Sequence, residues 1–158
     1  MALVGFDLSG KDPVLHTPCP EELKDLRHGT EEKWKLEEKW HSENPGIYFR
    51  NNVWYWRPLW QYVTDVCGDI LTDDDLNHGS YNDGHFISKA KSVRIARRLN
   101  QLIDDGDVAT HEEEYEKRRS EAKDDSPYDH FGSHYPFSED NVKNFAIFAK
   151  ESGGFYIC

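Results

Sequence analysis

Apolar residues recur at helical spacing in three stretches of the chain. Leu59, Val63, Val66, Cys67 and Ile70 fall at i, i+4, i+7, i+8 and i+11, which is one face of a helix. Pro58 suits the first turn of that helix. Ile95, Ala96, Leu99, Leu102 and Ile103 form a second stripe between about Ser88 and Asp105, and Gly106 supplies the stop. The third stripe is Val142, Phe145, Ala146 and Ala149. Ser138 precedes it as an N-cap, with Glu139 and Asp140 at the positive end of the helix dipole.

Two further segments read as helices with little to bury. From Glu31 to Trp40 nearly every residue is charged, Thr30 is an N-cap candidate, and Glu31 stands four residues before Lys35. Only Trp34, Leu36 and Trp40 offer apolar surface there, which predicts a solvated helix pinned by a few contacts. Residues 107–123 offer Val108, Tyr115 and Ala122. Short strands are expected at 1–10, at 46–51 and at Phe155-Tyr156-Ile157, the last paired with the first. Thr72 to His85 reads as a polar loop with the turn signal Asn82-Asp83-Gly84, and Asp124 to Pro136 as a second loop. The expected class is α+β and predominantly helical. Four to five helices and a small sheet of N-terminal, central (46–51) and C-terminal strands form one domain over 1–158, with a charged insertion at about 14–44.

Composition narrows the class without naming a function. With 5 Trp, 8 Tyr and 8 Phe, the 158 residues carry enough large rings to close a core despite a mean hydropathy of −0.86. No apolar run reaches the length needed to span a bilayer, and the amino end lacks a signal-peptide pattern. Cys19, Cys67 and Cys158 form no CxxC pair and suit a reducing cytoplasm, and the apolar stripe makes Cys67 a core residue. The net charge of −11 disfavours nucleic acid and permits a protein partner with a basic surface or an acidic surface imitating nucleic acid, with solubility the leading reading.

Five groups of residues could carry chemistry. Arg50, Asn51, Asn52, Trp56 and Arg57 mix planar donors, amides and stacking faces, which together suit a small polar ligand or a nucleotide. Tyr81, Asn82 and Asp83 join them as ligand-binding candidates. The same letters also describe a packed strand-to-helix corner with its asparagines bonded to turn backbone. The segment from His78 to His85, with two histidines, Tyr81 and Asp83, could supply acid–base groups. Asp129, His130 and His134 have an H-x3-H spacing, but Gly132 and Pro136 argue for loop and against a metal site. Asp73-Asp74-Asp75 suits a hard cation, a solvated loop or a helix cap. Lys89, Lys91, Arg94, Arg97 and Arg98 gather on one helix, where pairing with the chain's own carboxylates is expected over phosphate. There is no P-loop, GxGxxG or GxSxG motif, no catalytic residue is assigned, and no cofactor is expected.

Several blocks carry a family resemblance: Phe6 to Pro13, Tyr48-Phe49-Arg50-Asn51-Asn52-Val53-Trp54 with Trp56-Arg57-Pro58-Leu59-Trp60, Tyr81-Asn82-Asp83-Gly84, Tyr135-Pro136-Phe137-Ser138, and Gly153-Gly154-Phe155 with Ile157-Cys158. Together they resemble a family of small uncharacterised proteins of bacteria and their phages. That family has no established activity, so the resemblance implies no catalytic residues. It does imply that residues 14–44 are an insertion. Several family members carry paired CxxC motifs before the YPFS block, which imply a small zinc knuckle there, whereas here Asp125 to His134 contains no cysteine. The functional expectation is a non-enzymatic acidic binding protein, phage-borne and acting on a host protein in interference or counter-defence. The alternative is a small polar ligand or nucleotide domain, with or without hydrolytic activity, built on the Arg50–Asn52, Trp56–Arg57 and Asn82–Asp83 cluster.

Overall fold

The computed structural model describes residues 5–122 and 136–158. Among these the order is β1 (Gly5–Gly10), α1 (Glu22–Asp25), α2 (Glu31–Glu43), β2 (Tyr48–Asn52), α3 (Val53–Val66), α4 (Asp73–His78), β3 (His85–Ile87), α5 (Lys89–Asp104), α6 (Asp107–Ala122), α7 (Glu139–Glu151) and β4 (Phe155–Ile157). The helix-dominated α+β class holds. Seven helices and four strands among the described residues replace the expected four to five helices and three strands.

Five of the helices begin where a side chain satisfies one of their first amides. Thr30, Asn52, Ser88 and Ser138 each accept a hydrogen bond from the backbone N–H three residues on. At Thr72 the arrangement is reciprocal, because Asp75 also accepts from the Thr72 N–H in a capping box. Asn52 starts α3 at Val53, so Pro58 lies at the sixth helical position and not in the first turn. Helix α2 buries no residue completely, as its sparse apolar content implied.

The sheet is antiparallel throughout, in the order β2-β1-β4-β3. Leu8 pairs with Ile157, which places β4 beside β1 as expected. Alternate side chains of a strand face opposite sides, and here Phe6, Leu8, Ile87, Phe155 and Ile157 turn inward. Trp56 of α3 stacks on Phe6 at 5.5 Å and on Trp60 at 5.5 Å. Phe145 of α7 meets Phe155 edge-on at 5.9 Å. Helices α5 and α7 pack through small residues, with the Ser92 hydroxyl donating to the Ala149 carbonyl. Cys67 lies in this core, where burial pushes its thiol up to about 11.

Asn44 is the most fully bonded anchor of the segment before β2. Asn44, fully buried, accepts from the His16 and Thr17 amides at 2.6 and 3.0 Å. Its amide nitrogen donates to Thr17 Oγ1 and the Trp40 carbonyl, both at 2.8 Å. Every hydrogen-bonding position of that side chain is used, and α2 is thereby fixed to the chain that leaves β1. Among the described residues no helix is long and apolar enough to cross a membrane.

Candidate functional site

The geometry of β2 separates the residues of the aromatic-and-arginine block. Because alternate strand residues face opposite sides, Arg50 and Asn51 cannot reach a common ligand from one face. Arg50 lies on the outer side of the sheet, donating to Asp7 at 2.9 Å, and Tyr48 donates to the same carboxylate oxygen. Burial, with the bond to Asp7 behind it, raises the Tyr48 phenol above its usual range. Asn51 points toward α7, where it and Asn141 exchange amide hydrogen bonds at 2.8 and 3.0 Å. Asn52 is the cap of α3.

The remaining candidates are similarly spread. Trp56 is fully buried and donates to the Gly79 carbonyl at 2.8 Å. Arg57 is exposed beside a small cleft of about 100 Å³ that it shares with Trp56, Trp60, Gln61 and Ser80. Asn82 reaches back to the Gly5 carbonyl at 3.4 Å, and Tyr81 is exposed against the edge of His78. The structure therefore brings Trp56 and Arg57 to one small cleft and ties Tyr81 and Asp83 to His78. It sends Arg50, Asn51 and Asn52 to three different partners. Asp129, His130 and His134 lie outside the described residues. Among the described residues no group of three or more His, Cys, Asp or Glu side chains is placed to hold a metal ion.

A different cluster is more closely knit, and its centre is a residue first read as part of a polar loop. Asp75 keeps only 3% of its side chain exposed. One carboxylate oxygen accepts from His85 Nε2 at 2.7 Å, and the other from Lys91 Nζ at 2.6 Å and the Thr72 amide at 3.0 Å. Burial alone pushes this carboxyl up, but the Lys91, Thr72 and His85 donors outweigh it and bring the group down to about 2. His78 stacks on His85 at 5.2 Å and 16°, and its Nδ1 contacts Asp83 at 3.0 Å. That contact holds the Asp83 carboxyl below its ordinary range. Two imidazoles thus lie face to face, each oriented by a carboxylate.

The expectation that the basic helix pairs internally is met by Lys91 with Asp75 and by Arg98 with Asp69, the latter a two-pronged contact at 2.8 and 2.9 Å. The bond to Arg98 brings the Asp69 carboxyl down to about 2. Of the Asp73-Asp74-Asp75 alternatives, the helix cap is the one observed. The Asp75 centre escaped the sequence reading because a third aspartate in a polar run looks solvated. A usable signal was the Thr72-x-x-Asp75 capping-box spacing followed by His85 and Lys91.

A wider groove of about 500 Å³ runs along α5 to Lys150 of α7, lined by Arg97, Asn100, Gln101, Asp104 and Asp105. His111 is enclosed by the rings of Tyr62, Tyr115 and Phe137, and burial pushes its imidazole below the usual range. Comparison with protein-family models, with curated proteins and with solved structures gives no match for the chain.

Proposed function

We infer that this is a non-enzymatic acidic binding protein that engages a protein partner through a basic surface on that partner. The observation that carries this reading is the disposition of charge. Acidic residues number 30 against 19 basic ones, and Lys35, Arg50, Lys91, Arg98, Arg119 and Lys143 are each held by a carboxylate of the same chain. The surplus is carried by carboxylates, and a surface of that sign steers basic partners toward it. The resemblance to proteins of bacteria and their phages supports a bacterial host protein as the partner, with interference or counter-defence as the role. The test is retention from bacterial lysate on immobilised protein at low salt. A stoichiometric basic protein, released as the Debye length falls below about 8 Å, is the expected result. Retention of no protein, or of one insensitive to salt, rejects the reading.

A second reading, a small polar ligand with acid–base chemistry, is favoured by one observation. The His85 imidazole is fixed through Nε2 by a buried carboxylate, the arrangement that sets a tautomer and leaves the other ring nitrogen as an acceptor. Titrating nucleotides and small phosphate esters while following the histidine ring protons by NMR tests it. Unmoved His78 and His85 resonances across the panel remove that reading.

A further inference from the structure

Helix α2 is attached at its carboxyl end through Asn44 and Trp40, whose indole N–H donates to the Thr17 carbonyl at 3.3 Å. Away from that anchor it presents an unusual surface residue. Trp34 is 70% exposed, the most open of the large hydrophobic side chains among the described residues. Leaving an indole in water forgoes the burial of a large apolar surface, and a lone exposed tryptophan is the type of residue that anchors protein interfaces.

Its helical neighbours give the anchor a chemical preference. Glu31 and Glu38 stand three residues before and four after Trp34, so the three share one strip of the helix. Both carboxylates are exposed, and Glu31 already holds Lys35 at 2.9 Å. Glu37, half-buried, lies on the inner side of the same turn. A flat ring flanked by carboxylates complements a guanidinium, which stacks on an indole and bonds carboxylates with its edges. An ammonium matches the charge but lacks the plane.

We propose that the strip Glu31–Trp34–Glu38 of α2 is the docking surface of this protein, and that its occupant is an arginine-bearing face of a protein partner. This rests on the acidic-binder reading and goes further by naming the element and the residue chemistry. Trp34 lies against an arginine of the partner while Glu31 and Glu38 bond the guanidinium edges or neighbouring cations.

The test uses the full chain and two fluorescein-labelled probes, nona-arginine and nona-lysine peptides, followed by anisotropy at about 50 mM salt. Nona-arginine is expected to bind severalfold tighter than nona-lysine. Trp34→Ala should weaken nona-arginine about tenfold and erase the difference between the probes. Glu31→Lys with Glu38→Lys should weaken both, whereas Asp104→Lys with Asp105→Lys, a reversal of the same size on α5, should change neither more than about twofold. All the substituted side chains are exposed, and circular dichroism of each variant verifies that it is folded. If nona-arginine binds the Trp34→Ala and Glu31→Lys/Glu38→Lys variants as it binds the native chain, the strip is not the docking surface and the acidic-binder reading survives. If neither probe binds any variant or the native chain, both fall together.

Discussion

Replacing Asp75 by asparagine keeps the shape of the side chain and removes the charge on which Lys91 and His85 converge. The amide oxygen can still accept from the Thr72 N–H, but an NH2 group now faces one of the two donors. Two routes give the size of the effect. Lowering a carboxyl from 3.8 to about 2 corresponds to about 2.5 kcal/mol of preference for the charged form. Removing one member of a buried ion pair costs about 3–5 kcal/mol in general, because the partner is left uncompensated. A loss of about 3 kcal/mol at pH 7 is therefore expected, equivalent to about 6–12 °C in Tm for a chain of this length. The assay is urea unfolding of both proteins followed by tryptophan fluorescence over a pH series. Because the folded-state pKa is depressed, the contribution is fully present above the unfolded value of 3.8. It is lost as pH falls from about 4 toward about 2, so the gap between the two proteins should close over that window. A loss under about 1 kcal/mol at pH 7, or a gap as wide at pH 2 as at pH 7, would refute the assignment of Asp75 as a charged structural centre.

Three further outcomes follow from single features. Asn44→Ala orphans the His16 and Thr17 amides, so it should cost about 3 kcal/mol, read as accelerated hydrogen exchange confined mainly to residues 14–44. In Gly46→Ala the new Cβ would meet the Glu151 carbonyl oxygen, rigid backbone, so a loss of at least about 2 kcal/mol by thermal melting is expected. Ellman's reagent should label the exposed Cys19 and Cys158 in the folded protein. Cys67, buried and with its thiol pushed up to about 11, should react only on unfolding.

Much of this architecture is written in local pattern. The stripes on α3, α5 and α7 carry their period in sequence, although α3 ends at Val66, before Cys67 and Ile70 of the expected stripe, and Thr30, Ser88 and Ser138 mark helix starts without tertiary help. The pairing of β1 with β4 was also legible, since two short apolar strands flank the helical chain. What was not legible depends on contacts distant in sequence. Helix α4 has six residues and β3 three, too short for a period to show, and both are held by Asp75 reaching His85 and Lys91. The aromatic block misled for a related reason. Composition brought Arg50, Asn51, Asn52, Trp56 and Arg57 together, but the strand-to-helix change at Asn52 turns them in different directions. A residue list cannot show that divergence until the pleat is known.

The place of β4 between β1 and β3 has a kinetic consequence. Among the described residues strand β3 has no other partner in the sheet, so it has no ladder to join until Phe155–Ile157 is in position. Strand β1, near the beginning, waits for the same three residues to cover its second edge. The chain can form its helices and the antiparallel β1–β2 pair first, but closing the sheet joins β1 to a strand far along the chain, and loop-closure entropy makes that step slow. On a ribosome this last pairing is postponed until the end of the described chain has emerged. Until then the edge of β1 is open, and the nascent protein passes through an interval in which it is mostly helical and can pair with another strand.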